Sequence, residues 1–191
     1  MRVLIIPEDP TLDRHVSKPV VERIFADLGH PRARVEVLTD PHLSGITQAL
    51  DENVIAEILE DNRMVDLFLL IIDRDCENYG NSQKAAARKS GHPGKLLTAL
   101  AREELEVWPL ALHRSELSAP WNEVSSDCHP KELFYDPFIE DKGWVSTVGK
   151  GRKRAMRALG REWKGLLRVC PEIDELKAEI EQWLQGRVVG S

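Results

Sequence analysis

The chain has few cysteines, no long apolar run and no internal repeat. Its three cysteines, Cys76, Cys128 and Cys170, are odd in number, far apart and in no CxxC pair. That excludes a disulfide-rich secreted scaffold, and the expected compartment is a reducing cytoplasm. His15, His92, His113 and His129 have no zinc-like spacing with the cysteines, so no structural zinc is expected. No apolar stretch approaches the roughly 18 residues of a membrane span, so no membrane partner is expected. The opening MRVLIIPEDP reaches its acidic pair too soon for a signal peptide and predicts a buried strand. Glycine (12) and proline (11) are at ordinary levels, which excludes collagen-like and low-complexity classes. Gly91-His92-Pro93-Gly94-Lys95 lacks the glycine spacing and the Ser/Thr of a phosphate loop, and predicts a turn.

What is present suits one soluble globular domain. The 191 residues are 30% charged and 42% hydrophobic, enough to bury a core without disulfides or structural metal. With 26 Lys/Arg against 32 Asp/Glu, the net charge is −6, which argues against a passive nucleic-acid coat. The charge is uneven, however. Residues 149–168 carry eight Lys/Arg and one acid.

Strand and helix patterns alternate over 1–112. Residues 3–6 and 67–72 are continuous apolar runs, the pattern of strands covered on both faces. Residues 34–38 and 96–101 read as two further strands. Val16, Val20, Ile24 and Leu28 fall on one helical face, and Gly29 stops it. A second helix is expected over 46–59, a short polar one over 82–89, and another over 103–112, where Pro109 limits regularity. The alternation predicts a mostly parallel α/β sheet with helices on both faces and a site at the strand ends. Residues 113–148 read as irregular, with one short helix near 131–134. The tail predicts a basic amphipathic helix over 150–168 and a last helix opened by Pro171. Residues 1–112 are thus the expected core, and 113–191 an extension packed with it as one domain.

Two acidic groups follow the two apolar strands: Glu8 and Asp9 after the first, Asp73 and Asp75 after the second. Alternate residues of a strand point to the same side, so Asp-x-Asp places both carboxylates at one tip. Carboxylates crowded this way repel unless a cation offsets them, and Mg²⁺ or Mn²⁺ suits all-oxygen ligands. Asp-x-Asp alone also suits solvated acids capping the next helix; joined to Glu8 it points to a metal site formed by Glu8, Asp9, Asp73 and Asp75. Cys76, beside Asp75, reads as a small half-buried filler. The tryptophans read as core or lid residues rather than base-stacking platforms.

A Glu at the end of a first strand and Asp-x-Asp at the end of a later central strand resemble the Toprim domain of topoisomerases, primases and OLD-type nucleases. Three further stretches look like those of small stand-alone Toprim-like proteins, some of them suspected of phage defence: Glu104-Leu105-Glu106-Val107-Trp108, Pro130-Lys131 and Gly149-Lys150-Gly151-Arg152. The Gly-rich turn usual beside the first Glu is replaced by Pro7-Glu8-Asp9-Pro10, which leaves both Glu8 and Asp9 open as the family's Glu.

The resemblance implies a Toprim/Rossmann-like sheet and a Mg²⁺- or Mn²⁺-dependent nuclease cleaving phosphodiester bonds in DNA or RNA. In that reading Glu8, Asp73 and Asp75 are catalytic, Glu104 or Glu106 completes the acidic cluster, and Lys131 or Lys150 holds a phosphate. The basic stripe, including Lys150, Arg154, Arg157 and Arg161, is the expected nucleic-acid contact; a solvated helix face or an interface with an acidic partner fits the same pattern. Two other readings stay open. One is a non-catalytic interaction subunit working with an ATPase partner in a defence complex; the other is a Mg²⁺-dependent phosphohydrolase. The oligomeric state is open between monomer and homo-oligomer.

Overall fold

The computed structural model describes residues 1–77 and 80–189. Four strands form one all-parallel sheet: β1 (Arg2–Pro7), β2 (Arg34–Val37), β3 (Leu67–Asp73) and β4 (Leu96–Ala101). Their spatial order is β2-β1-β3-β4. The expected parallel α/β architecture is therefore present. The six apolar residues of β3 are all buried, because helices cover both faces of a parallel sheet. Alternation sorts the side chains: Val3, Ile5, Leu67, Leu69 and Ile71 enter one core, and Leu4, Ile6, Phe68, Leu70 and Ile72 enter the other.

The helices are α1 (Arg14–Asp27), α2 (Ile46–Ala49), α3 (Glu52–Asp61), α4 (Asn81–Gly91), α5 (Val107–Leu112), α6 (Trp121–Val124), α7 (Asp136–Asp141), α8 (Arg152–Ala155), α9 (Leu159–Val169) and α10 (Pro171–Val189). The first core is closed by α1, α5, α9 and α10, through residues such as Ile24, Trp108, Trp163 and Ile180. The second is closed by α2, α3 and α4, through Ala49, Ile55, Ile58 and Ala85. The extension thus supplies two helices of the first layer. A small third core, with Tyr135, Phe138 and Ile139, underlies 113–148. No helix among the described residues is long and apolar enough to cross a membrane.

Several expected helices are shorter or broken. The helix foreseen over 46–59 divides at Asp51, whose carboxylate accepts the Asn53 and Val54 amides at 2.9 and 3.1 Å and starts α3. Aspartate at an N-cap competes well with continuation of the preceding helix. The helix foreseen from 103 starts at Val107, which places Pro109 in the first turn, where its missing N–H costs nothing. The single basic helix foreseen over 150–168 is divided into α8, a 3₁₀ turn at Met156–Ala158, and α9. Residues 113–148 hold more helix than foreseen: α6, a π-helical turn at Lys131–Tyr135, and α7. Gly91 to Lys95 lie at the end of α4 and in the turn leading to β4, as expected.

Cys76 is not the filler expected from its position. It is disulfide-bonded to Cys128 across a sequence separation of 52, joining the end of β3 to the irregular segment. Cys170 is free and buried. Closing a loop of that length removes chain entropy worth about 4 kcal/mol from the unfolded state. Chemical denaturation with and without dithiothreitol should show a loss of stability of up to about that size on reduction. A Cys76→Ser/Cys128→Ser variant should be indifferent to the reductant.

Candidate active site

The strand order places a topological switch point between β1 and β3. From β1 the chain passes to β2 on one side, and β3 pairs with β1 on the other. In open parallel sheets, sites form in the crevice beyond the carboxyl ends at such a point. Pro7 pairs with Ile71, so β3 runs on through Ile72 to Asp73 while β1 gives way to Glu8. Glu8 and Asp73 therefore flank the switch point.

Four carboxyl groups gather here: Glu8 and Asp73 lie within electrostatic reach of each other and of both Asp13 and Asp75. Each is anchored from one side. Asp73 Oδ1 accepts the Leu105 amide at 2.8 Å. Asp75 Oδ2 accepts from Asn81 Nδ2 at 3.3 Å. Asp13 Oδ2 accepts the Asp9 amide at 2.8 Å. The Glu8 carboxyl is approached by the backbone amides of Asp73 and Ile46. Its Oε2 is nevertheless buried with no hydrogen-bond partner. A buried acceptor left unsatisfied costs roughly 1–3 kcal/mol, and such an atom in a folded protein calls for an explanation.

Burial is the first cause that raises the proton affinity of this group, and mutual repulsion is the second. Glu8 is pushed up to about 7 by burial and then by Asp75 and Asp13. Asp13 is pushed up to about 6, mainly by burial. Asp73 lies well above the ordinary carboxylate range, from burial and then from Glu8 and Asp13. Asp75 is raised by burial and by Glu103. Carboxylates displaced together in a crevice are a signature of functional sites.

The opposing charge comes from far along the chain. Arg152, buried in α8, forms an ion pair with buried Glu106, and its field reaches Asp13, Asp9, Asp73 and Glu104. Lys131 donates its amide to Glu104 Oε2 at 2.8 Å, and its ammonium acts on Asp13 and Glu104. Burial raises the Glu104 carboxyl as well. Glu103 takes the Arg74 guanidinium and the Cys76 amide. Backbone strain collects around the same cluster. Among the described residues, the non-glycine residues with positive φ are Asp75 (53°), Cys76 (53°), Glu103 (59°) and Lys150 (47°), three of them at the ends of β3 and β4. Left-handed non-glycine residues cost of order 1 kcal/mol or more each and concentrate at functional sites.

Of the residues foreseen, the fold gathers Glu8, Asp73 and Asp75, with Glu104 and Lys131 at the edge. Asp9 stands apart in role: its Oδ1 is taken by the Thr11 and Leu12 amides at 2.7 and 3.2 Å. Between Glu104 and Glu106, Glu104 faces Lys131, whereas Glu106 is committed to Arg152. Lys150, Arg154, Arg157 and Arg161 are all exposed, but the broken backbone divides them over separate turns. Arg154 lies over the Trp144 ring, and Arg161 pairs with Glu162. Asp13 and Arg152 were not foreseen as site residues. Asp13 looks like a helix start, and the signal for Arg152 was its place after Gly151 in the Gly-Lys-Gly-Arg stretch, where φ of +82° favours glycine.

Among the described residues, no three His, Cys, Asp or Glu side chains gather into a group that could hold a metal by themselves. A dedicated protein cage, as for zinc or a structural calcium, is thus not formed. The donor set still fits Mg²⁺, which keeps waters and is held by one or two carboxylates plus substrate phosphates. The orphaned Glu8 Oε2 and the raised carboxyls are what such a cation would relieve. Comparison with family models, curated proteins and solved structures finds no match to this chain.

Folded Glu8 keeps its proton to about pH 7, whereas an unfolded chain releases it near 4.5. Protonation therefore favours the folded state. That contribution is complete below pH 4.5 and is lost as pH rises through 7. Glu8→Gln should raise stability at pH 8 by about 1–3 kcal/mol in metal-free buffer and leave it little changed at pH 4. Denaturation of both proteins at the two pH values checks this, and an equal effect at both would disprove the assignment.

Proposed function

We propose that this protein is a divalent-metal-dependent hydrolase of phosphodiester bonds in nucleic acid. The observation that carries the reading is the Glu8 Oε2 atom, buried and unsatisfied among carboxyls that repel one another at the switch point. Asp73 and Asp75 are the residues that would hold Mg²⁺ or Mn²⁺. When bound, that ion would polarise the phosphoryl oxygen and offset charge developing on it.

The chain's own residues supply the rest. Glu8, with a proton affinity near neutrality, suits a general base that takes the proton of an attacking water. The water oxygen bonds to phosphorus, the ester P–O bond breaks, and the leaving oxygen is protonated from solvent. Lys131 and Arg152 partly offset the negative charge of Asp13 and Glu104 beside the reacting phosphate. The exposed cations Lys150, Arg154, Arg157 and Arg161 suit backbone phosphates further along a bound strand.

The test is Mg²⁺ and Mn²⁺ titration by calorimetry, with cleavage assays on labelled single- and double-stranded DNA and RNA. Asp73→Asn keeps the side-chain shape and an acceptor for the Leu105 amide. It should lower cleavage at least about 10²-fold with the fold intact by circular dichroism. Wild-type-like cleavage by Asp73→Asn would overturn the site. Hydrolysis of small phosphate esters with no cleavage of any nucleic acid would instead make the protein a phosphohydrolase.

A further inference from the structure

A second feature opens beside the carboxyl cluster. It is a cleft of about 520 Å³ between α4 and the start of α2 and α3. Its wall carries Asp75 at one end and Lys84 and Arg88 along α4; Ile46 and Leu50 face them, with Thr47 exposed beside Ile46. The volume lies within the range of small-ligand sites, roughly 300–1,000 Å³. Lys84 and Arg88 are four residues apart and so lie on one face of α4. Arg88 is oriented by the Leu50 carbonyl at 2.8 Å and by Glu52 at 3.0 Å. Lys84 is exposed and makes no ion pair among the described residues. Two acids also line the cleft: Asp51, whose Oδ1 accepts the Asn53 and Val54 amides, and Asp75, whose Oδ2 accepts from Asn81. The cleft thus offers apolar surface, one cation paired with Glu52 and one without an ion pair among the described residues, and an opening onto Asp75.

We propose that this cleft holds one unpaired nucleotide next to the bond being cut, with its base against Ile46 and Leu50 and its phosphate on Lys84 and Arg88. The proposal rests on the hydrolase reading above and narrows its substrate to single-stranded nucleic acid. A base reaches a cleft of this kind only when it is out of a duplex stack. The placement of the other cations agrees. The cleft lies on the face of the sheet covered by α3 and α4, and Arg157 and Arg161 lie on the face covered by α9. The two sets of cations thus flank the sheet on opposite faces.

The experiment is fluorescence anisotropy with a short fluorescein-labelled single strand, as DNA and as RNA, in EDTA, so that binding is read without cleavage. Lys84→Glu reverses an exposed charge, and Thr47→Trp places bulk beside the apolar wall from an exposed position. Each is expected to weaken single-strand binding about tenfold or more. Arg32→Glu, the same charge change at the amino end of β2, should stay within about twofold of wild type. Binding of the matching duplex should be weaker and indifferent to Thr47→Trp. Wild-type affinity in both cleft variants, no single-strand binding by the wild type, or an equal loss in Arg32→Glu would each overturn the proposal. The hydrolase reading fails separately. Its failure is a wild type that binds the strand in EDTA through the cleft and cleaves nothing when Mg²⁺ or Mn²⁺ is added.

Discussion

Like charges forced together at the ends of two adjacent central strands are the constraint on which this structure turns. β1 and β3 are the most thoroughly buried elements of the sheet, and apart from the exposed Arg2 that opens β1 their residues below the tips are apolar. That apolar floor is why Glu8 and Asp73 lose water and hold their protons so firmly. A sheet of this kind could end in neutral residues at no cost. Here Glu8, Asp73 and Asp75 stand at the strand ends with Asp13 of the next turn beside them, and the rest of the molecule is arranged around the consequences. Leu105 and Asn81 each give a hydrogen bond. Arg152 brings a buried positive charge from a segment that follows β4 by some fifty residues. Asp75 and Glu103 accept left-handed backbone.

The framework was legible because it follows from periodicity. The unbroken run at Leu67–Ile72 and the shorter one at Val3–Ile6 identified the two central strands, since only strands covered on both faces are apolar at every position. The Asp-x-Asp at the end of the longer run marked the site for the same reason. What was not legible depends on competition or distance. The break at Asp51 is decided by one side chain choosing two backbone amides over a continuing helix. Asp13 sits in a turn whose path is set by Asp9, so no spacing rule places it beside Asp73. The cysteine pair could not be read because its members are 52 residues apart and share no motif; only the fold brings them together.

The extension is part of the site's electrostatics and not a decoration on the core. α9 and α10 close one face of the sheet through Trp163, Leu166, Ile173 and Ile180. The turns ahead of them deliver Arg152 to the carboxyls and Lys150 to its surface position. The Arg152–Glu106 pair is enclosed on both sides, and taking away either partner would strand a charge where water cannot reach it. That pair ties the folding of residues after 150 to the integrity of the strand tips.

The Cys76–Cys128 bond also changes the topology of the chain as an object. It closes a covalent ring that contains α4, β4, α5 and α6. A single cut in the backbone between the two cysteines opens that ring without dividing the molecule. The piece carrying Glu8, Asp73 and Asp75 stays bound to the piece carrying Lys131 and Arg152. In its oxidised form the protein is therefore built so that a nick anywhere between the two cysteines costs continuity of the chain but not the company of the two halves of its site.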